Sequence, residues 1–177
     1  MKILILGSTA SGKSEFAEKI ACNLCKGKKL YIATMIPFDE ECHKKIAKHR
    51  KMREKKNFFT AESPVDLHLL KPDIHSTAML ECMSNLLANE MYRSDKKIND
   101  VCTHIIQGIQ IASKKFENLI IVSNNVFESS KKYDNFTEEF IKIFGKINVS
   151  LAKDFDVVIE VVCGIPIFIK GRELINE

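Results

Sequence analysis

Gly7-Ser8-Thr9-Ala10-Ser11-Gly12-Lys13-Ser14 directly follows the apolar run Lys2 to Leu6 and opens a stretch of helical period, Lys13 to Cys25. The octet matches G-x-x-x-x-G-K-[ST], and a position between a buried strand and a helix is the context that motif requires. Two glycines let the backbone wrap closely around a phosphate, while successive N–H groups and the helix N-terminus supply positive potential. Lys13 reaches the terminal phosphates, and the Ser14 hydroxyl can ligate Mg2+. An ordinary Gly/Ser turn is the competing reading, and the strand–loop–helix context disfavours it. All eight residues, Gly7, Ser8, Thr9, Ala10, Ser11, Gly12, Lys13 and Ser14, are therefore expected to seat a nucleoside triphosphate.

Outward from this loop, short and nearly continuous apolar runs recur at Lys29 to Ala33, Thr77 to Leu80, Leu119 to Ser123 and Val157 to Val162. Such runs suit strands buried on both faces. Between them, helical period covers Asp39 to Met52, Met83 to Tyr92, Val101 to Lys115 and Thr137 to Lys153. This alternation predicts an α/β fold, a mostly parallel sheet flanked by helices. A turn at Gly164-Ile165-Pro166 leads to a last strand, Ile167 to Lys170, and so short a connection requires an antiparallel pair at the C-terminus. Asn57 to His75 and Phe127 to Asn135 carry no clear period and are expected active-site loops.

At 177 residues with no repeat or linker, the chain is expected to be one domain, residues 1–177. Hydrophobic residues at 45% and charged residues at 28% fit a globular protein. No apolar run approaches the ~20 residues of a membrane span, and Met1-Lys2-Ile3-Leu4 begins a strand rather than a signal peptide, so a cytoplasmic location is expected. Six cysteines without a framework of short loops read as reduced thiols, and Cys22 and Cys25 lack the second pair a zinc site needs. Glu40, Glu41, Cys42 and His43 diverge around a helix. His68, His75 and His104 have no spacing that marks a site. Phe136, Phe140 and Phe144 form a core stripe with Ile143 and Ile147.

The net charge of +4 is unevenly placed. Lys44 to Lys56 holds eight of the 27 basic residues and one of the 23 acidic ones, Glu54, for a net +7, so the rest of the chain stands at −3. An anionic ligand should therefore be sought there. On a helix from Asp39, the residues Cys42, Ile46, His49 and Arg53 fall on one stripe. His49 then faces inward beside Arg50 and Arg53. An imidazole among cations can attack phosphorus if one ring nitrogen is free and the other is held; it can equally be a rim histidine under a solvated basic face. Nucleic acid is the weaker partner reading, since no aromatics interleave the run before Phe58 and the remaining chain is acidic. A phosphate loop also needs a carboxylate at a neighbouring strand end for Mg2+, and Glu81 is the best placed.

The order of smaller motifs resembles the bifunctional adenosylcobinamide kinase / adenosylcobinamide-phosphate guanylyltransferase family. The resemblance runs through the loop, Tyr31-Ile32-Ala33-Thr34, the helix with Ile46, His49, Arg50 and Arg53, and Thr60-Ala61-Glu62. It continues through Leu80-Glu81-Cys82, Asn85-Leu86-Leu87, Val122-Ser123-Asn124, Gly145, Asn148 and Ala152, and ends at Val162-Cys163-Gly164-Ile165-Pro166 with Lys170.

The resemblance implies a RecA-like P-loop fold, commonly a homotrimer, with ATP and GTP as substrates and a corrinoid as acceptor. One implied activity phosphorylates adenosylcobinamide; the other carries GMP from GTP on a histidine to adenosylcobinamide phosphate. By position His49 matches the guanylylated histidine. Thr34, Met35 and Ile36, then Arg50, Lys51, Met52 and Arg53, with Glu62 and Glu81, match further nucleotide-contacting positions; Ser14 and Glu81 are the implied Mg2+ pair.

Departures from the family pattern are Ala10 for Arg, Lys48 for a second His, Glu54 for Pro, Asn125 for Glu, Phe127 for Gly, Ile141 for Arg and Val149 for Gln. An Asn can neither act as a base nor bind a cation as a carboxylate does. Beside the family reading stand a P-loop kinase of another small hydroxylated substrate and a nucleotide-gated binding module without turnover.

Overall fold

Ile3, Leu4 and Ile5 follow one another in β1 (Lys2–Gly7) and are fully buried, because both faces of this strand are covered. Ile3 and Ile5 pack with Ala17, Ile20 and Ala21 of α1 (Lys13–Leu24), whereas Leu4 joins a second core beneath α3 (Met83–Tyr92), α4 (Val101–Ser113) and α5 (Asn135–Asp154). The computed structural model describes residues 1–74, 76–125 and 133–175, apart from the Lys45 side chain.

Among these residues, β1 joins β2 (Lys29–Ala33), β3 (Phe58–Glu62), β4 (Thr77–Glu81), β5 (Asn118–Asn124), β6 (Val157–Val162) and β7 (Ile165–Lys170) in one sheet. The strand order is β3-β2-β4-β5-β1-β6-β7, with every pairing parallel except the antiparallel β6–β7. This is the mostly parallel sheet with flanking helices and a terminal antiparallel pair that the alternation predicts. No helix among the described residues is long and apolar enough to cross a membrane.

Helix boundaries follow from side-chain capping. Asp39, Asp100 and Asp134 each accept a hydrogen bond from the backbone N–H three residues on, at Cys42, Thr103 and Thr137, and so satisfy a donor that would otherwise be orphaned at the starts of α2 (Glu40–Arg53), α4 and α5. At the far end of α1, the Lys29 ammonium donates to the carbonyls of Cys25 and Gly27, both at 2.9 Å. The side chain is thus 2% exposed yet not unpaired.

The Thr103 hydroxyl and backbone N–H hold the Asp100 carboxyl below its ordinary range, and the Thr137 N–H and hydroxyl do the same for Asp134. A carboxyl whose pKa is depressed on folding contributes stability above its unfolded pKa, and that stability is lost as pH falls through the folded value. Thermal melts from about pH 5 down to about pH 2.5 should therefore show a falling midpoint, less steep in Asp134→Asn, since Asn caps a helix without titrating.

Three details differ from expectation. Strand β3 lies within the segment read as a loop: as an edge strand paired to β2 alone, it keeps Phe59, Thr60 and Glu62 exposed and so lacks a continuous apolar run. The C-terminal turn is Cys163-Gly164, not Gly164-Ile165-Pro166, so β7 begins at Ile165. Both turn residues have positive φ, 50° and 80°, the geometry whose twist fits a two-residue hairpin. Finally, β4 does not neighbour β1, because β5 lies between them.

Candidate active site

The phosphate loop is built by close approach. A Cβ on Gly7 would stand 2.8 Å from the Val161 carbonyl oxygen, and Gly12 adopts φ 90°, so neither position accommodates a side chain without strain. Ala10 also takes a left-handed conformation, φ 60°. The Ser11 N–H donates to the Ser8 carbonyl at 3.2 Å, and the Gly164 N–H donates to the Ser11 carbonyl at 2.8 Å, tying the loop to the β6–β7 turn. Lys13 is nearly buried, and its ammonium donates to the Ser8 carbonyl at 3.1 Å. Burial pulls its pKa below the ordinary lysine value, and the neighbouring Cys82 and Glu81 pull the other way.

The loop forms one wall of a cleft of about 950 Å³ at the carboxyl ends of the strands, where ligands bind in open α/β sheets. Glu81 closes β4 and lines the cleft. It accepts hydrogen bonds from the Ser14 hydroxyl and from the Tyr31 hydroxyl, the latter at 3.0 Å, and its Oε2 lies 3.5 Å from His49 Nδ1. Burial alone would raise its pKa, but the contacts with His49, Ser14 and Tyr31 outweigh burial and hold the carboxyl below its ordinary value. Burial, then the charge of Glu81, pushes the Tyr31 phenol well up, so Tyr31 serves as a donor. Ser14 and Glu81 thus offer hard oxygen donors side by side, a donor set that fits Mg2+.

Helix α2 forms the opposite wall. Its Cys42, Ile46, His49 and Arg53 stripe does turn inward: Cys42 and Arg53 are buried and His49 is half-buried. The Arg53 guanidinium carbon lies 3.3 Å from the Tyr31 ring centroid, a stacked cation–π contact. Arg53 Nη1, Ser11 Oγ and His49 Nδ1 are all closed off from solvent without a hydrogen-bond partner. Leaving buried polar atoms unpaired costs about 1–3 kcal/mol each; Nδ1 at least faces Glu81, so Arg53 Nη1 and Ser11 Oγ are the two that mark a surface shaped for a polar ligand.

Most of the residues expected from sequence meet here. Thr9, Ala10, Ser11, Gly12, Lys13, Ser14, Met35, His49, Arg50, Met52, Arg53, Glu62 and Glu81 all line the cleft. Gly7 and Ser8, also expected to seat the triphosphate, do not line it: Gly7 is buried and Ser8 is exposed. Thr34, Ile36 and Lys51 do not line it. Thr34 is buried, with its hydroxyl donating to the Cys82 carbonyl at 2.9 Å, while Ile36 and Lys51 are exposed.

The +7 segment also divides. Lys48, Arg50, Arg53 and Lys56 reach the cleft, with Lys56 bound to the fully buried Glu18 at 2.6 Å. Lys44 and Lys51 face solvent, because a helix carrying cations in succession must turn some outward, and Lys55 is exposed in the turn beyond α2.

Sequence reasoning assigns no site role to Tyr31, Thr60, Asn85 or Asn124, which also line the cleft. Their signal is position, since Tyr31 and Thr60 lie in strands ending at the cleft, Asn124 ends β5 and Asn85 lies in the first turn of α3. Of the departures, Ala10 and Lys48 line the cleft, whereas Asn125, Ile141 and Val149 do not. Val126 and Phe127 lie outside the described residues, as does the expected loop from Phe127 as far as residue 132.

A family model described as cobinamide kinase / cobinamide phosphate guanyltransferase matches residues 3–169. A bifunctional adenosylcobalamin biosynthesis protein CobU from Escherichia coli K12 is 29% identical, over 96% of this chain and all of the relative. The corresponding protein CobP from Pseudomonas aeruginosa is 25% identical, over 98% of this chain and all of the relative. Among solved structures, an ATPase domain matches with a TM-score of 0.53 at 12% identity, covering 90% of this chain and 68% of that one. The flagellar accessory protein FlaH from Methanocaldococcus jannaschii matches with a TM-score of 0.51 at 12% identity, covering 96% and 77%. These likenesses place the fold among RecA-like P-loop proteins.

Proposed function

The chain belongs to the cobinamide kinase / cobinamide phosphate guanyltransferase family and is an enzyme of adenosylcobalamin biosynthesis, and we propose that its one cleft serves both family activities, with His49 as the nucleophile for GMP transfer. The observation that carries this reading is the junction at Glu81, where one carboxylate meets both the Ser14 hydroxyl of the phosphate loop and His49 of α2. Phosphate binding and the histidine are thereby joined at a single buried charge.

In guanylyl transfer, Nδ1 of His49 is turned toward Glu81, which leaves Nε2 for the substrate. Nε2 attacks the α-phosphorus of GTP; a P–N bond forms, the bond from Pα to the bridging oxygen breaks, and pyrophosphate leaves. A phosphate oxygen of adenosylcobinamide phosphate then attacks the same phosphorus, the P–N bond breaks, and adenosylcobinamide-GDP forms. Lys13, Arg50 and Arg53 stabilise charge on the phosphates, and Arg53 is held ready by its stack on Tyr31. In the kinase reaction, the hydroxyl of adenosylcobinamide attacks the γ-phosphorus of ATP or GTP held on Gly7 to Ser14, and the nucleoside diphosphate leaves. Ser14 and Glu81 would hold Mg2+, which neutralises phosphate charge when bound. The chain acts as a single catalytic domain in the cytoplasm, as a homotrimer, with no nucleic-acid partner.

Incubation with GTP labelled in the α-phosphate tests this. An acid-labile, alkali-stable label on His49, with release of pyrophosphate, is expected. A folded protein that takes up no label with Mg2+ present would refute the histidine route, leaving either a kinase of another hydroxylated substrate, which moves γ-label only, or a binding module, which moves none. Glu81→Gln keeps the side-chain shape and removes the charge. It is expected to lower both activities by roughly 100-fold in steady-state assays, since the partner of Ser14 and the orienter of His49 are the same group.

A further inference from the structure

Asp66 and His68, two residues apart, converge with His104, 36 residues beyond His68, on one spot away from the nucleotide cleft, which none of them lines. We propose that these three side chains bind a first-row divalent transition ion, with Zn2+ as the preferred occupant, and that the ion fastens the turn after β3 to α4. Their ligand atoms all lie within 4.8 Å of one another, and Asp66 Oδ1 lies 3.2 Å from His104 Nε2. Zinc bonds of about 2.0–2.1 Å in a tetrahedron place neighbouring ligand atoms roughly 3.4 Å apart, so small side-chain rotations complete the set. Two imidazoles and one carboxylate suit Zn2+ better than Mg2+, which takes oxygen ligands.

The surroundings direct one oxygen at the histidines. Arg93 takes Asp66 Oδ2 at 2.8 Å and Glu90 Oε2 at 3.1 Å, so the guanidinium neutralises charge on the far side of both carboxylates. Asp66 Oδ1 is closed off from solvent and accepts no hydrogen bond, although His104 Nε2 and Lys96 Nζ, the latter at 3.8 Å, lie near it. A carboxylate oxygen without a hydrogen bond beside an imidazole is suited to a metal ligand, and Glu90 Oε1, 3.4 Å from His104 Nε2, brings a further oxygen to the same spot. The Asp66 backbone is held in a left-handed conformation, φ 49°, by its N–H donating to Glu90 Oε1 at 2.6 Å. The His68 ring stands edge-on to that of His104, with centroids 5.4 Å apart. A fourth coordination position remains for water.

The consequence concerns the cleft's rim. Asp66 lies four residues beyond Glu62, which lines the cleft, and the Asn89 side chain bridges the carbonyls of Thr34 and Pro64 between them. An ion at Asp66 would clamp the chain that leaves Glu62.

The test titrates the full chain with Co2+ and Zn2+. One ion per chain is expected, with visible d–d bands of low-symmetry Co2+, displacement by Zn2+ and a raised melting temperature. No thiolate-to-cobalt band should appear, which separates this site from the six cysteines. His68→Gln and His104→Gln should each weaken binding by at least about 100-fold, with Asp66→Asn as a third variant if either fails to fold. Absence of binding to the wild-type chain, a thiolate band, or affinity unchanged in the folded variants would overturn the proposal. Because the readouts are binding and melting, failure here is distinguishable from failure of the histidine route.

Discussion

His49→Ala is expected to remove the protein-bound GMP altogether and to cut guanylyl transfer by at least about 10⁴-fold, the scale on which loss of a covalent nucleophile is felt. His43, the other imidazole that lines the cleft, lies six residues earlier on α2, about 9 Å along the helix axis. Lys48 lies next in sequence and lines the cleft, but an ammonium is not a nucleophile until it loses its proton, and Glu81 is fully engaged by Ser14 and Tyr31. The loop, Lys13 and Arg53 persist in this variant, so GTP should still bind and γ-phosphoryl transfer should fall far less. Labelling with α-labelled GTP, run beside a γ-label assay on the same preparation, checks both statements. Retained label at another residue would show that His49 is only a phosphate contact.

Lys13→Ala should instead cut both activities, by roughly 10²–10³-fold each, because the ammonium serves the triphosphate whichever phosphorus is attacked. Lys13 is nearly buried and held against the Ser8 carbonyl, and it is the loop's own cation. Removing it leaves an electron-rich loop carbonyl without its donor and a triphosphate without its nearest charge. The fold should survive, since Lys13 stands at the edge of α1 and outside the apolar cores. Nucleotide affinity measured by calorimetry should therefore drop with the melting profile little altered. Full turnover by this variant would refute the placement of the phosphates. The contrast between the two variants, one activity lost against two, is what a shared cleft requires.

The fold is legible to the extent that each strand is buried on both faces. Strands β1, β2, β4, β5 and β6 are apolar almost throughout, and a run of that kind announces itself. Strand β3 is not legible, because half of an edge strand faces water and its letters resemble a loop. The hairpin turn reads one residue late in the sequence because Gly164-Ile165-Pro166 carries stronger turn letters than Cys163, whose positive φ only the paired strands impose. At the site, the carboxylate Glu81 is identifiable from its strand end, but the inserted strand β5 is not foreseeable. Strand order is a non-local property that no segment encodes by itself.

Local chemistry is therefore decided by sequence. Gly7, Gly12, Lys13 and Ser14 act within eight consecutive residues, and helical period alone puts His49 and Arg53 on one face of α2. Covalent spacing and backbone geometry are sufficient for such features. Tertiary structure alone decides that Tyr31, 18 residues before His49, lies beneath Arg53 and donates to Glu81, and that Lys44, Lys51 and Lys55 face solvent. It also gathers Asp66, His68 and His104, whose spacing carries no signal, by packing the turn after β3 against α4. The reason is the same in each case: these contacts depend on which faces are buried together, and that is set by the whole sheet and its helices, not by any one stretch of chain.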